Sequence, residues 1–170
     1  MKIAFDLDGV IIGKPPLIPQ KILERLFIAG GKDSLHCHFP SSKISQKIRQ
    51  LSHFYLLRPP IGENIEFLKK AAKGRKVVLY IISSRYSFLA DQTKTWLEKR
   101  KIDGLFKEIH LNLKNEPPHL FKERKIRELG IDIFVDDDPV LCHYFKQSLP
   151  QTKVFCVNYK NSIQDFFPNQ

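Results

Sequence analysis

The sequence predicts an α/β fold built on a doubly wound parallel sheet, and three observations support this prediction. Short apolar runs typical of buried strands alternate with longer stretches of helical periodicity. The strongest run, residues 77–82, is apolar and rich in β-branched side chains, as in a strand covered by helices on both faces. Two other runs end in clustered acids, as strands do at the ligand-binding edge of such sheets. Helices on both faces would give a three-layer, Rossmann-type core.

The positions of glycines and prolines and the spacing of apolar residues predict the first helices and strands. A first strand is predicted over residues 2–7, because a continuous apolar run leads into the first acids. After several breakers, residues 20–28 have helical spacing and end at a Gly-Gly pair. Ser41 or Ser42 can cap a second helix that reaches about residue 57. The apolar positions on one side of this helix are Ile44, Ile48, Leu51 and Tyr55.

Helices and strands alternate regularly from residue 60 to the end of the chain. A helix over residues 63–73 ends at Gly74 and precedes the apolar strand 77–82. The later elements, bounded by glycine, proline or charged turns, are helices over 87–101, 119–129 and 139–147 and strands over 108–111, 131–135 and 153–157. Alternation of this kind is typical of parallel β-α-β units.

Residues 13–59 interrupt the alternation. They hold two helix-like stretches and no convincing strand, so we expect a small helical cap insertion over the carboxyl edge of the sheet. The α/β core would then comprise residues 1–12 and 60–170. The sequence leaves the role of the insertion and the oligomeric state open.

Composition favours one globular domain. The chain has 170 residues, of which 42% are hydrophobic, and its three cysteines are odd in number and widely spaced. A disulfide framework is therefore not expected, and a reducing compartment is the default. No apolar stretch approaches the roughly 20 residues that span a bilayer, and Asp6 and Asp8 interrupt any signal peptide. We expect a cytoplasmic protein with no membrane partner.

The formal net charge of +10 has three interpretations. Basic residues could bind nucleic acid through phosphate contacts, or they could steer a small anionic substrate towards its site. They could also be a solvated basic surface, because they are scattered along predicted helices and form no unbroken basic tail.

Two acidic clusters follow predicted strands. Asp6 and Asp8 end the first strand, and Asp136 and Asp137 follow the strand 131–135. The carboxyl ends of parallel strands share one edge of the sheet, so we expect the two clusters to meet. Neighbouring carboxylates repel unless a positive charge lies between them, and carboxylate oxygens are good ligands for a divalent cation.

These acids, with one serine and one lysine, occur in an order that resembles the four motifs of the haloacid dehalogenase-like (HAD) phosphohydrolases. The matching residues are Asp6-Leu7-Asp8-Gly9-Val10 for the DxDG motif, Ser83 at the end of an apolar strand, Lys122 for the third motif and Val135-Asp136-Asp137-Asp138 for the acidic fourth motif. The match covers residues 1–12 and about 60–157. The helix around Thr95-Trp96-Leu97 is similar to the 5′-nucleotidase-like branch of that superfamily.

The resemblance implies a Mg²⁺-dependent phosphatase that forms an aspartyl-phosphate intermediate. Asp6 would be the nucleophile, and Asp8 would protonate the leaving alcohol and then activate water. Ser83 would donate a hydrogen bond to a phosphoryl oxygen, and Lys122 would neutralise its charge. The implied Mg²⁺ ligands are Asp6, the backbone carbonyl of Asp8, Asp136 and Asp137.

Further residues are candidates at the same site. Gly9 would let the backbone approach the phosphate, and Ser84 is an adjacent alternative to the site serine. Arg85 is a candidate substrate contact. Lys125 lies one helical turn from Lys122 and is an alternative site lysine.

The expected substrate is a small phosphorylated molecule. Alternatives are a nucleic-acid-binding protein, or a polynucleotide or nucleotide phosphatase that uses the same metal site. A catalytically silent HAD-like partner protein also stays open. The order of the motif residues argues against a receiver-type signalling domain. A metal site at His36-Cys37-His38 has too few ligands to be favoured.

Overall fold

Within the part of the chain that the structure describes, five parallel strands form one sheet, in the order β3-β2-β1-β4-β5. The computed structural model describes residues 1–13, 39–40, 42–74, 76–158 and 161–167. The strands are β1 (Lys2–Phe5), β2 (Val78–Tyr86), β3 (Glu108–Asn112), β4 (Ile133–Asp136) and β5 (Lys153–Cys156). The α/β fold class with a doubly wound parallel sheet is therefore confirmed.

Helices cover both faces of this sheet. They are α1 (Lys43–Ser52), α2 (Gly62–Lys73), α3 (Ala90–Lys99), α4 (Pro118–Leu129) and α5 (Pro139–Ser148), with short 3₁₀ turns at Ser87–Leu89, Asp103–Leu105 and Ile163–Phe166. Side chains alternate along the strands, so two cores form. Phe5 packs in the core that contains residues of α2 and α3, whereas Ala4 packs in the core that contains residues of α4 and α5. None of the described helices is long and apolar enough to cross a bilayer.

Strand β2 runs further than the sequence predicts. The prediction ends the strand at residue 82, but the structure continues it through Ser83, Ser84 and Arg85 to Tyr86. Its pairing with β3 shifts register between Ser83 and Tyr86. The predicted end was wrong because these polar side chains are in or near the interior of the fold, where Arg85 donates a hydrogen bond to the buried Thr93.

The predicted cap is described only in part. Ser42 caps α1, since its side chain accepts a hydrogen bond from the amide of Ile44 at 3.3 Å. This helix ends at Ser52 and not near residue 57, and its apolar residues Ile44, Ile48 and Leu51 are exposed. The predicted helix 20–28, Ser41 and the His36-Cys37-His38 stretch lie outside the described residues, so the division at 13–59 stays a prediction.

Candidate active site

Three acids from the two predicted clusters meet at the carboxyl edge of the sheet. Asp6, Asp136 and Asp137 each place a carboxylate oxygen within 4.8 Å of the others. The sheet produces this arrangement, because β1 lies beside β4 and the Asp6 amide donates to the Val135 carbonyl at 2.9 Å. The expectation that the clusters converge is met for these three residues.

Lys122 reaches the same cluster from α4. Its ammonium donates to Asp136 Oδ2 at 2.7 Å and lies 3.1 Å from Asp6 Oδ1. Although burial opposes the charged form, Asp136 and Asp6 outweigh it and raise the pKa of Lys122 well above its usual range. Lys125 instead pairs with Glu128 at 2.7 Å on the surface of the helix. The structure therefore brings Lys122, and not Lys125, to the carboxylates.

The cluster has more negative charge than its lysine can balance. Burial raises the pKa of Asp6 to about 7, with Asp136 adding to the rise and Lys122 opposing it. Burial also raises the pKa of Asp137 well above its usual range, and Asp136 and Asp6 increase this effect. The ammonium hydrogen bond goes to Asp136, so Asp6 Oδ1 is buried with no hydrogen-bond donor.

A divalent cation fits this cluster. Three carboxylates that offer oxygens within 4.8 Å match the hard ligands that Mg²⁺ takes, and Asp6 Oδ1, which accepts no hydrogen bond, shares the single Lys122 ammonium with Asp136. Asp6, Asp136 and Asp137 are therefore the side chains that could hold the ion.

Gly9 occupies a position where a side chain cannot fit. Its φ is +74°, and a Cβ atom there would lie 1.9 Å from Asp137 Oδ2. Gly9 thus lets the loop after β1 lie directly against Asp137. Its predicted role in approaching a phosphate stays a prediction.

Ser83 and Ser84 lie on β2 beside this loop. The register pairs Phe5 with Ile81, which places Ser83 level with the residues that follow β1. Ser83 is buried and Ser84 is half-buried. Their predicted contacts with a phosphoryl group stay predictions.

The Asp8 carboxylate is held by two arginines. Arg85 Nε donates to Asp8 Oδ2 and Arg85 Nη2 to Asp8 Oδ1, both at 2.8 Å. Arg58 Nη2 donates to the same Oδ1. Burial alone would raise the pKa of Asp8, but the guanidinium groups of Arg85 and Arg58 outweigh it and hold that pKa well below its usual range. Asp8 is therefore a carboxylate at neutral pH.

Sequence reasoning missed Arg58 and His53. Arg58 precedes Pro59, and its only sequence signal is a charged residue next to a chain breaker. His53 is buried, which lowers the pKa of its imidazole to about 3, and its Nδ1 lies 2.8 Å from the Arg49 carbonyl. The imidazole is thus neutral at physiological pH and adds no charge beside Asp8.

A cavity of about 880 Å³ borders the acidic cluster. Gly9 and Asp137 line one side of it, and Gly62 and Asn64 at the start of α2 line another. Its remaining polar lining comes from Glu63, Asn158, Asn161, Ser162 and Asp165. There is room beside the candidate metal site for a small molecule.

No protein-family profile matches the chain, and no curated protein matches its sequence. Solved structures do resemble it. The haloacid dehalogenase-like hydrolase SP0104 from Streptococcus pneumoniae is 13% identical with a TM-score of 0.65, over 99% of this chain and 90% of that one. The HAD family enzyme BT-2542 from Bacteroides thetaiotaomicron, an aspartate-to-alanine mutant in complex with magnesium and inorganic phosphate, is 15% identical with a TM-score of 0.62, over 98% of both chains.

A third similar structure is a chain of the Pnkp1/Rnl/Hen1 RNA repair complex. It is 16% identical with a TM-score of 0.54, and the match covers 93% of this chain and 42% of that one. Identities this low establish a common fold and nothing finer, so the likeness to the 5′-nucleotidase-like branch stays a prediction. The sheet order, the parallel strands and these structures together show that the chain has the fold of the HAD-like hydrolases.

Proposed function

We propose that the chain is a Mg²⁺-dependent phosphatase that hydrolyses a phosphomonoester through an aspartyl-phosphate on Asp6. The observation that carries this proposal is the meeting of Asp6, Asp136 and Asp137 with Lys122 at the carboxyl edge of the sheet. A solved structure of the same fold also supports the proposal, because the BT-2542 enzyme is in complex with magnesium and inorganic phosphate.

The metal would be held by the carboxylates of Asp6, Asp136 and Asp137. When bound, Mg²⁺ would offset the repulsion between these carboxylates and a phosphoryl dianion. The lysine ammonium supplies a further positive charge, 2.7 Å from Asp136 and 3.1 Å from Asp6. At 3.1 Å from Asp6 Oδ1, this ammonium can also offset negative charge on a phosphoryl group attached to Asp6.

Asp6 suits the role of nucleophile because its Oδ1 accepts no hydrogen bond. In the first step this oxygen forms a bond to phosphorus, and the bond from phosphorus to the leaving oxygen breaks. In the second step a water oxygen attacks phosphorus and the bond to Asp6 breaks, releasing inorganic phosphate. Asp8, held as a carboxylate, can accept the proton that this water loses.

Release of phosphate from p-nitrophenyl phosphate, with Mg²⁺ or with a chelator, tests the proposal. We expect activity that requires the metal and falls at least about 1,000-fold in Asp6→Asn, as for loss of a nucleophile. The matched control is Asp103→Asn, which makes the same change at an exposed position. Wild-type turnover by Asp6→Asn would remove Asp6 as the nucleophile.

A second candidate is a phosphatase that acts on the phosphorylated end of a polynucleotide with the same residues. The formal net charge of +10 and the likeness to a chain of an RNA repair complex favour it. We expect such a protein to bind RNA or DNA with an affinity that falls steeply with salt. No retention on either polymer at low salt would exclude this candidate and leave the small-molecule phosphatase.

A further inference from the structure

Two buried arginines donate hydrogen bonds to one carboxylate, that of Asp8, beside the acidic cluster. The side chains of Arg58 and Arg85 are 8% and 3% exposed, whereas that of Asp8 is 34% exposed. Among the described residues, the structure pairs neither guanidinium with another carboxylate. Burying two cations against one anion is a poor way to stabilise a fold, because desolvation offsets much of the attraction. The arrangement therefore needs another explanation.

Helix α3 anchors both arginines independently of Asp8. Arg85 Nη1 donates to Thr93 Oγ1 at 3.0 Å, and Thr93 in turn donates to the Leu89 carbonyl at 2.8 Å. The Arg58 carbonyl accepts a hydrogen bond from Trp96 Nε1 at 2.7 Å. Thr93 and Trp96 are three residues apart on one helix, so they share a face. Helix α3 thus holds the guanidinium of Arg85 and the backbone of Arg58 without any help from Asp8.

The exposed fractions of these side chains distinguish two possible roles for the arginines, contact with substrate and positioning of Asp8. The partly exposed Asp8 carboxylate is more accessible to a substrate from solvent than either buried guanidinium. The planar Arg85 binds both carboxylate oxygens through two parallel hydrogen bonds, which fixes the plane of the carboxylate. Arg58 binds Oδ1 in addition, which opposes rotation of the side chain.

We propose that Arg58 and Arg85 are positioning residues that fix the Asp8 carboxylate for hydrolysis of the aspartyl-phosphate, and that they act through Asp8 and not by contact with substrate. This inference rests on the proposed function. It replaces the expectation that Arg85 contacts substrate. It also gives the predicted 13–59 segment a part in the site, since that segment supplies Arg58.

The clamp formed by Arg58 and Arg85 matters most in the second chemical step. There a water oxygen forms a bond to phosphorus, the bond from phosphorus to Asp6 breaks, and the proton of the water passes to Asp8. A misplaced carboxylate slows this step. The first step with p-nitrophenyl phosphate needs no proton donor, because p-nitrophenolate leaves as an anion. Loss of the clamp should therefore let the phosphoenzyme accumulate.

A double-mutant cycle on the full chain tests this inference. The variants are Arg58→Gln, Arg85→Gln, Asp8→Asn and each arginine change combined with Asp8→Asn. We expect each arginine variant to turn over about 10- to 100-fold more slowly and to release a burst of one p-nitrophenol per active site. In the Asp8→Asn background the same changes should alter turnover by less than about 2-fold, since residues that act as a unit are not additive.

Equal losses in both backgrounds, or a loss confined to KM, would overturn the inference, because the arginines would then bind substrate or merely support the fold. Arg124→Gln is the matched control, since Arg124 also pairs with two carboxylates, Glu116 and Glu128, but on the surface of α4. If a glutamine variant does not fold, Arg85→Lys keeps the charge without the planar fork that binds both Asp8 oxygens, and it should still show the burst. Absence of Mg²⁺-dependent turnover in the wild-type chain would instead overturn the proposed function itself.

Discussion

Replacing Asp6 by asparagine should stabilise the fold above pH 7 when no divalent cation is present. Burial beside Asp136 raises the pKa of Asp6 from its ordinary value of 3.8 to about 7. Between these pH values the folded state holds a proton that the unfolded state has lost, so stability falls as pH rises through this range. Asparagine is neutral at every pH and has nearly the same shape, so the variant avoids this loss.

The structure gives the size of the effect. A rise in pKa from 3.8 to about 7 corresponds to about 4 kcal/mol, at 1.36 kcal/mol for each tenfold change in proton affinity. The variant should therefore be more stable by up to about 4 kcal/mol at pH 8 and by almost nothing near pH 4. A free Mg²⁺ concentration of 100 times its Kd would stabilise the wild-type chain by about 2.7 kcal/mol. The stability difference between the variant and the wild-type chain at pH 8 would then be smaller.

Urea unfolding at both pH values, in EDTA and in Mg²⁺, measures these differences. Asp103→Asn is the control, because the same change at an exposed carboxyl should shift stability little at either pH. A variant that is no more stable than the wild-type chain at pH 8, or equally stabilised at both pH values, would refute the reasoning that Asp6 is buried against an excess of negative charge.

Two further predictions concern the residues around Asp6. Lys122→Met should lower the free energy of unfolding by about 3–5 kcal/mol at pH 8 without metal and reduce turnover at least about 100-fold, because it leaves Asp6 and Asp136 without their cation. The control is Lys125→Met, which removes a surface pair with Glu128 and should lower the free energy of unfolding by less than about 1 kcal/mol. If urea unfolding shows equal losses for Lys122→Met and Lys125→Met, the assignment of Lys122 as the site lysine is contradicted. Gly9→Ala should weaken Mg²⁺ binding at least about 10-fold in calorimetry, because the added Cβ displaces the Asp137 carboxylate. Gly62→Ala has nothing within 4 Å of its added Cβ, so a similar loss of affinity there would contradict this steric explanation.

The sequence contains enough information to predict the acidic cluster, because its residues follow the regular part of the fold. Asp6 and Asp136 stand at the ends of apolar strands, and parallel strands bring their carboxyl ends to one edge. Lys122 is predictable for a similar reason, since the motif order places it on a helix next to that edge.

The partners of Asp8 could not be predicted, because they depend on tertiary contacts between distant segments. Arg58 lies 50 residues from Asp8 along the chain, and Trp96 on α3 fixes its backbone. Periodicity was also misleading at the end of α1. The apolar spacing continues to Tyr55, but the His53 amide closes the helix by donating to the Arg49 and Gln50 carbonyls.

The central claim is that Asp6 attacks phosphorus, and locating the phosphoryl group on the chain tests it most directly. Asp8→Asn should slow release from the phosphoenzyme, so this variant is mixed with p-nitrophenyl phosphate and Mg²⁺, quenched in acid and digested for mass spectrometry. We predict that the phosphoryl group is found on Asp6. A phosphoryl group on another residue, or phosphate released by a chain that never becomes phosphorylated, would contradict the account.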